Sequence, residues 1–529
     1  MVNTFNKIYK NLSMLKIANI QVAIALAYCF SCLTAGGQSK DPLIFPKDNF
    51  TVETRMVRTS SGEKKITYHF YRHILYVAKP VDKDFQSMDL SVPVKIDDVT
   101  IEAINAPIFF SIGIGGYMSV RNGGNALSRA GADAPGGMGA PLAGGPGGQP
   151  RGMLPRTGGS GGTGSLSSRA DLALAAGFVV VTPGCRGRDN KADDGTFYGK
   201  APAAIVDLKA AVRYLRHNKG ILPGNVNQII SAGCSAGGAV SALLGTSGNS
   251  PLYDSYLKEI GAADAKDNIF GSACYSPITD LENADGAYEW MYGTYPSKSG
   301  LVDQEISKQL KALYEDYQLS LKLQGKNGFG LLTADNYEKY LVQFFLIPSA
   351  NEYLKGLSEE KRNEYLAKNK WITWTEKGAS FAFPDYVSHI GRMKNMPAFD
   401  DFNRIQPEPS LFGNKTTDSR HFTNFSLQHS TKDKNAMIDN DLKMLVNMMN
   451  ANYFIREDNK GCADYWWLRN GSSDNHTSQT VMVNLATGLE NRNKIVDAAL
   501  FWDGGHCADD DPEGMVRWMG KVTNYSIKD

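Results

Sequence analysis

Net charge is almost absent from this chain. Its 529 residues carry 56 Lys+Arg against 55 Asp+Glu, a formal charge of +1, and no basic block stands out, so a nucleic-acid partner is not expected. Long apolar runs are lacking beyond the N-terminus, which argues against an integral membrane domain. The glycines of Gly113-Ile114-Gly115-Gly116-Tyr117-Met118 lack the third glycine of a dinucleotide fingerprint, because Met118 stands in its place. Asp509, Asp510 and Asp511 read as a solvated acidic helix start rather than a calcium site. What remains has an ordinary globular composition, and the length permits two or three domains.

The N-terminus is the exception to the scarcity of apolar runs. Lys7, Lys10 and Lys16 precede an apolar stretch over 17–33, then Ala35-Gly36-Gly37 and a polar segment. Charged, apolar, then small residues is the order of a secretory signal peptide, so residues 1–37 are expected to direct export. Cys29 and Cys32 leave a lipid-anchored form open beside periplasmic and secreted ones.

The chain is organised around residues 225–240, N-V-N-Q-I-I-S-A-G-C-S-A-G-G-A-V. An apolar run ends at Gly233, a G-x-S-x-G follows with Ser235 at its centre, and small residues then continue at helical spacing. Strand, sharp turn and helix are the context of a nucleophile elbow. Upstream, 67–77 and 91–96 read as early strands, and 107–112 as a buried strand ending in the Gly115-Gly116 turn. That turn can offer a backbone N–H to an oxyanion, with the N–H of Ala236 as the second donor.

Residues 121–164 are rich in Gly, Ala, Pro and Ser and read as a surface loop. Helix 166–176, strand 178–181, helix 203–215 and strand 269–275 restore an alternation that argues a parallel sheet covered on both faces. Between 281 and 462 the alternation stops among helical stretches and aromatics, too long a span for a connection, so it reads as an inserted, mainly helical cap. The hydrolase-like core would then occupy 38–280 and 463–529, with strands at 465–469 and 496–502 and helices at 477–489 and 511–523.

In this topology the triad order is Ser, acid, His, each on a loop after a strand. His506 follows the last strand and is the expected base. Asp474 follows the preceding strand and is the expected acid, with Asp503 and Asp280 as alternatives. His69, His73, His217, His389, His421 and His429 are expected to make structural or surface contacts. Cys234 precedes the nucleophile and Cys507 follows the base. If Ser235 and His506 lie within hydrogen-bond reach, the two cysteines could fall within the ~4.4–6.8 Å Cα separation of a disulfide. The alternative is a pair of small buried apolar side chains. Cys185, Cys274 and Cys462 have no pairing that can be argued.

These residues resemble the bacterial tannases. The likeness is carried by T-P-G-C-R-G-R-D (182–189), the 200–218 segment, G-C-S-A-G-G, S-P-I-T-D-L-E-N-A-D (276–285), G-R-M-K-N-M-P-A-F-D (391–400) and S-D-N-H-T-S (473–478). It runs from about residue 108 to the C-terminus, omitting the glycine-rich loop. The resemblance implies an α/β-hydrolase fold with a cap and a serine esterase that cleaves galloyl esters without metal or organic cofactor. It assigns Ser235, Asp474 and His506 as the triad. It also places Lys394 and Glu408 on the galloyl hydroxyls, where a phenol edge takes both a cation and an anion as partners. His476 stands where the family has an acid, a loss of charge that puts selectivity for three hydroxyls in question. The Cys234/Cys507 pair resembles instead the cysteine-flanked serine and histidine of fungal tannases and feruloyl esterases. The partner expected is therefore a small aromatic ester. Rival readings are an esterase for ferulate, caffeate or protocatechuate esters, a peptidase of the same fold, and a non-catalytic phenolic-binding protein.

Overall fold

The computed structural model describes residues 41–121 and 168–528. The expected signal peptide lies outside the described residues, as does the glycine-rich loop apart from residue 121. The chain divides into a unit ending at Ile44 and a second unit, Phe45–Asp529. Of the first, only a turn is described, closed by the Ile44 N–H on the Asp41 carbonyl at 3.1 Å. Everything below concerns the second.

Its framework is one large sheet. In chain order the strands are β1 (Thr51–Thr59), β2 (Gly62–Leu75), β3 (Ser87–Ile96), β4 (Val99–Thr100), β5 (Pro107–Ile112), β6 (Val179–Pro183), β7 (Asn225–Cys234), β8 (Gly271–Tyr275), β9 (Tyr465–Gly471) and β10 (Ile495–Phe501). Their spatial order is β1-β2-β3-β6-β5-β7-β8-β9-β10, with β4 on β3. The first strands and the β3–β6 pair run antiparallel, and all pairings from β6 to β10 are parallel. Every residue of β8 is buried and β5 is nearly so, as expected for parallel strands covered on both faces.

The nine-residue β1 escapes the sequence reading, as does the two-residue β4. β1, T-V-E-T-R-M-V-R-T, buries only Val57, so its residues look like a polar loop. It forms because all nine residues pair with β2, from Thr51 opposite Phe70 to Thr59 opposite Gly62. Charges along such an edge also deter pairing with a second chain.

The registers decide where chemistry can gather. Ile112 lies beside Gly233, Cys234 beside Tyr275, Arg469 beside Tyr275, and Gly471 beside Phe501. The loops leaving β5, β7, β8, β9 and β10 therefore emerge at one edge, where ligands bind in open α/β sheets. The segment between β8 and β9 adds no strand to this sheet. Among its described residues are helices and two short ribbons, Gln324–Gly325 with Gly330–Leu331 and Thr373–Thr375 with Gly378–Ser380. Asp280 (φ 58°) starts this segment and anchors it, accepting from Tyr317 Oη and from Asn450 Nδ2 at 2.8 Å.

Candidate active site

β7 ends at Cys234, and helix α1 (Ala236–Thr246) begins two residues on, with only Ser235 between them. The reversal places Ser235 at φ 58°, ψ −125°, a region a side chain enters only when its surroundings enforce it. A Cβ on Gly233 would come within 2.4 Å of the Gly237 carbonyl oxygen, and one on Gly238 within 2.6 Å of the Tyr275 oxygen. Only glycine fits at those two positions. Beneath the turn, Ser231 Oγ and Ser272 Oγ each hydrogen-bond Ser241 Oγ, at 2.8 and 2.9 Å, so the polar groups packed under the helix are satisfied.

Asp474 and His506 are joined. The imidazole Nδ1 lies 2.9 Å from Asp474 Oδ2, and Asp474 is 1% exposed. Burial works to raise the pKa of this carboxyl. The hydrogen bond and charge of His506, with the backbone N–H of His476 on Oδ1 at 3.0 Å, outweigh it and hold the carboxyl below its usual range. An ionised carboxylate on Nδ1–H leaves the lone pair on Nε2. A disulfide joins Cys234 to Cys507 with Cα atoms 5.8 Å apart. It ties the residue before Ser235 to the residue after His506. Among the described residues Ser235 makes no hydrogen bond to His506, so the acid link is closed and the serine link open. Such links often tighten only with substrate bound.

Two alternative acids are committed elsewhere. Asp503 accepts from Tyr365 Oη at 2.5 Å and lies 3.2 Å from His389 Nε2. Asp280 anchors the inserted segment, as described above.

The Gly115-Gly116 turn lies against the elbow. A Cβ on Gly237 would meet the Ile114 carbonyl oxygen at 2.7 Å. The turn closes through Met118 N–H on the Gly115 oxygen at 3.0 Å, with Gly116 and Tyr117 at φ 53° and 58°. A Cβ on Gly115 or Gly116 would meet nothing within 4 Å, so both border open space. Ala236 opens α1, and its N–H is among the first four that have no acceptor within a helix.

Lys394 and Glu408 approach the same site from the inserted segment. Lys394 Nζ stands 3.6 Å from the centroid of the Phe399 ring. Burial pushes its pKa down, opposed by the charges of Glu408, Asp285 and Asp474. Glu408 is 5% exposed, and its Oε2 has no hydrogen-bond partner among the described residues. Burial pushes its pKa up, opposed first by Lys394. His476 lies with its ring stacked on His506, centroids 4.0 Å apart and planes within 10°. Burial and the neighbouring His506 lower its pKa to about 4, so at neutral pH it is an uncharged imidazole.

Residues 165–315 match a family model described as BD-FAE. Over 102 residues the chain is 34% identical to Esterase LipC of Mycobacterium tuberculosis, a match that spans 19% of this chain and 22% of that protein. Similarity to solved structures reaches much further. A Fusobacterium nucleatum tannase is 35% identical, with 91% of this chain and 99% of that chain covered at a TM-score of 0.74. The chain belongs to the tannase family. A tannin acyl hydrolase in complex with ethyl gallate is 30% identical over the same shares, also at a TM-score of 0.74. The fold is that of the α/β-hydrolases, and this tannase-family chain is an ester hydrolase.

Several residues that position the candidate site declare no role in one dimension. A buried pair, Arg392 and Glu289, fixes the strap that carries Lys394, with Nη2 to Oε1 at 2.5 Å. Arg392 Nε donates to the Lys394 carbonyl at 2.8 Å, and Tyr288 Oη accepts the Lys394 N–H at 3.0 Å. Asp285 accepts the N–H groups of Phe399 and Asp400 at 2.7 and 3.1 Å, and burial beside Asp400 raises its pKa to about 7. Elsewhere Asp400, His421 and Ser430 line up like a second triad, at 2.8 and 2.9 Å. Ser430 donates its proton to the Phe402 carbonyl at 2.7 Å instead, so the arrangement is a structural clasp and His421 a structural histidine. Asp511 caps the last helix, accepting the Gly514 N–H at 2.8 Å, and also binds Arg517, which is the acidic helix start expected there.

The depressed pKa of His476 has a measurable consequence. Between about pH 4 and the ordinary imidazole range the unfolded chain binds a proton that the folded chain refuses. Stability therefore rises with pH across that window and is complete above it. Urea midpoints at several pH values should show this rise, and His476→Asn should flatten it.

Proposed function

We propose that this tannase-family enzyme hydrolyses galloyl esters by an acyl-enzyme mechanism. Ser235 Oγ attacks the ester carbonyl while its proton passes to His506 Nε2, with Asp474 holding the tautomer. The N–H of Ala236 and those of the Gly115-Gly116 turn receive the oxyanion. The His506 proton then goes to the leaving alkoxide, and the alcohol departs. Water, deprotonated in turn by His506, attacks the galloyl-enzyme and releases gallic acid and free Ser235. The segment 281–462 serves as the cap over this site.

The observation that carries the reading is the charge-coupled pair of Lys394 and Glu408, with a buried carboxyl oxygen lacking a partner among the described residues, beside the Asp474–His506 pair. A ring edge with adjacent hydroxyls can donate to Glu408 and accept from Lys394, restoring hydrogen bonds that burial has removed. The ethyl gallate carried by the related tannin acyl hydrolase supports the same substrate class. Truncating either partner should cost most for hydroxyl-rich substrates. Lys394→Met and Glu408→Gln are each expected to lower kcat/KM for methyl gallate by about 10²-fold or more, with a smaller loss for 4-nitrophenyl acetate.

A neutral His476 in place of an acid favours a second reading, hydrolysis of ferulate, caffeate or protocatechuate esters. Side-by-side hydrolysis of methyl gallate and methyl ferulate separates the two: preference for gallate is expected, and preference for ferulate overturns the galloyl reading. The disulfide supports a site of action outside the reducing cytosol, in keeping with the export expected from residues 1–37. Among the described residues no helix is long and apolar enough to cross a membrane.

A further inference from the structure

Thr182-Pro183-Gly184-Cys185-Arg186-Gly187-Arg188-Asp189 is a family motif to which the mechanism above gives no task. Its position supplies one. The segment leaves β6 and runs along the outer side of the Gly115–Val120 stretch. Val120 and Cys185 exchange backbone hydrogen bonds at 2.9 and 3.0 Å, and Asp189 accepts from Ser119 N–H and Oγ at 2.6 and 2.8 Å. A Cβ on Gly187 would fall 2.1 Å from the Ser119 nitrogen, so the two segments are in backbone contact. Next door, Arg186 is locked to buried Asp207, with Nη2 on Oδ1 at 2.8 Å and Nε on Oδ2 at 2.9 Å. The strap is rigid for that reason.

Arg188 uses this rigid base to hold the turn itself. Its Nε–H donates to the Gly116 carbonyl at 2.7 Å, and its backbone N–H donates to the Tyr117 carbonyl at 2.9 Å. In a trans peptide the carbonyl and the following N–H point opposite ways. Drawing these two oxygens toward Arg188 therefore fixes the orientation of the peptide planes in a turn whose Gly116 and Tyr117 both sit at positive φ. The Gly115 oxygen is held by Met118 N–H, which turns the Gly116 N–H outward. Among the described residues neither Gly115 nor Gly116 donates to an acceptor, and both border open space.

We propose that Arg188 is a positioning residue for oxyanion stabilisation: its Nε–H fixes the peptide plane that carries the Tyr117 N–H, and its backbone N–H, through the Met118 amide, that of Gly116, so that the turn presents donors to the ester carbonyl oxygen held at Ser235. The role rests on the reading of Ser235 as nucleophile. Arginine suits the task because one planar group supplies a directed donor and a fixed charge. That charge also acts weakly on Glu408, where it adds to the effect of Lys394 against burial.

The test uses the full-length chain with Arg188→Lys, which keeps a charge but loses the directed Nε–H, and Arg188→Met, which keeps only the stem. Rates are normalised to the fraction of Ser235 titrated by a fluorophosphonate, which removes any loss through misfolding. Both variants are expected to lose about 10- to 100-fold in kcat on methyl gallate and on 4-nitrophenyl acetate, less than removal of a whole oxyanion donor costs. Inhibition by 2,2,2-trifluoroacetophenone, which forms an oxyanion on the serine, should weaken by the same factor. Inhibition by pyrogallol, which carries the ring hydroxyls but neither carbonyl nor carboxylate, should stay within about threefold. Arg188→Lys with wild-type kcat, a rate loss that vanishes on normalisation, or an unchanged ketone Ki beside a lowered kcat would each overturn the proposal. A wild-type enzyme active on 4-nitrophenyl acetate but not on methyl gallate would overturn the galloyl reading alone, and Arg188 would then be judged on the acetate.

Discussion

Substituting Ser235 by alanine is expected to lower kcat on methyl gallate by about 10⁴- to 10⁶-fold, and Asp474→Asn by about 10⁴-fold. The two losses have different origins. Alanine removes the attacking oxygen, so only binding and oxyanion stabilisation remain. Asparagine keeps the shape but can donate to Nδ1, which places the imidazole proton on Nε2 where the lone pair is needed. Asp474 is 1% exposed and within hydrogen-bond distance of His506, so little water is available to take its place. The double variant should be no slower than Ser235→Ala alone, because the three groups act as a unit. Steady-state rates, checked against circular dichroism for an intact fold, decide this. Independent, multiplying losses would mean that Asp474 acts outside the serine pathway.

Breaking the disulfide has the next largest expected effect. The Cys234–Cys507 link spans 273 residues of sequence and restricts the unfolded chain strongly. Replacing both cysteines by alanine should cost about 2–5 kcal/mol of stability, read from urea midpoints. Activity should fall further than stability explains. The loop carrying His506 leaves β10 through Trp502, Asp503 and two glycines, and its far end is tied to the elbow by this bond. A shift of about 1 Å in the base relative to the nucleophile is enough to lower turnover by about 10²-fold. Wild-type enzyme in dithiothreitol should approach the double variant. Equal kcat with and without the bond would show that β10 alone positions His506.

Legibility in the sequence follows how local each feature is. The elbow can be read because strand, G-x-S-x-G and helix are contiguous, and His506 and Asp474 because strand order constrains where a base and an acid may stand. β1 is invisible because eight of its nine side chains are not buried, so no alternation marks it. Lys394 and Glu408 are ordinary charges in one dimension, and only the family resemblance singles them out. Arg188, Asp285 and Arg392 sit inside quoted motifs, yet their partners lie 72, 114 and 103 positions away. No local pattern encodes such pairings. His476 is intermediate: the sequence shows that an acid is missing there, but not that the replacing ring stacks on His506 at 4.0 Å.

The central claim is that a galloyl group resides covalently on Ser235 during turnover. It is tested most directly by mixing enzyme with excess methyl gallate, quenching in acid within the first turnovers, and mapping the digested peptides by mass spectrometry. A galloyl adduct on the peptide containing Ser235, absent from Ser235→Ala, is the expected result. Sustained release of gallic acid with no adduct under conditions where acylation outpaces deacylation, or an adduct on any other residue, would contradict it.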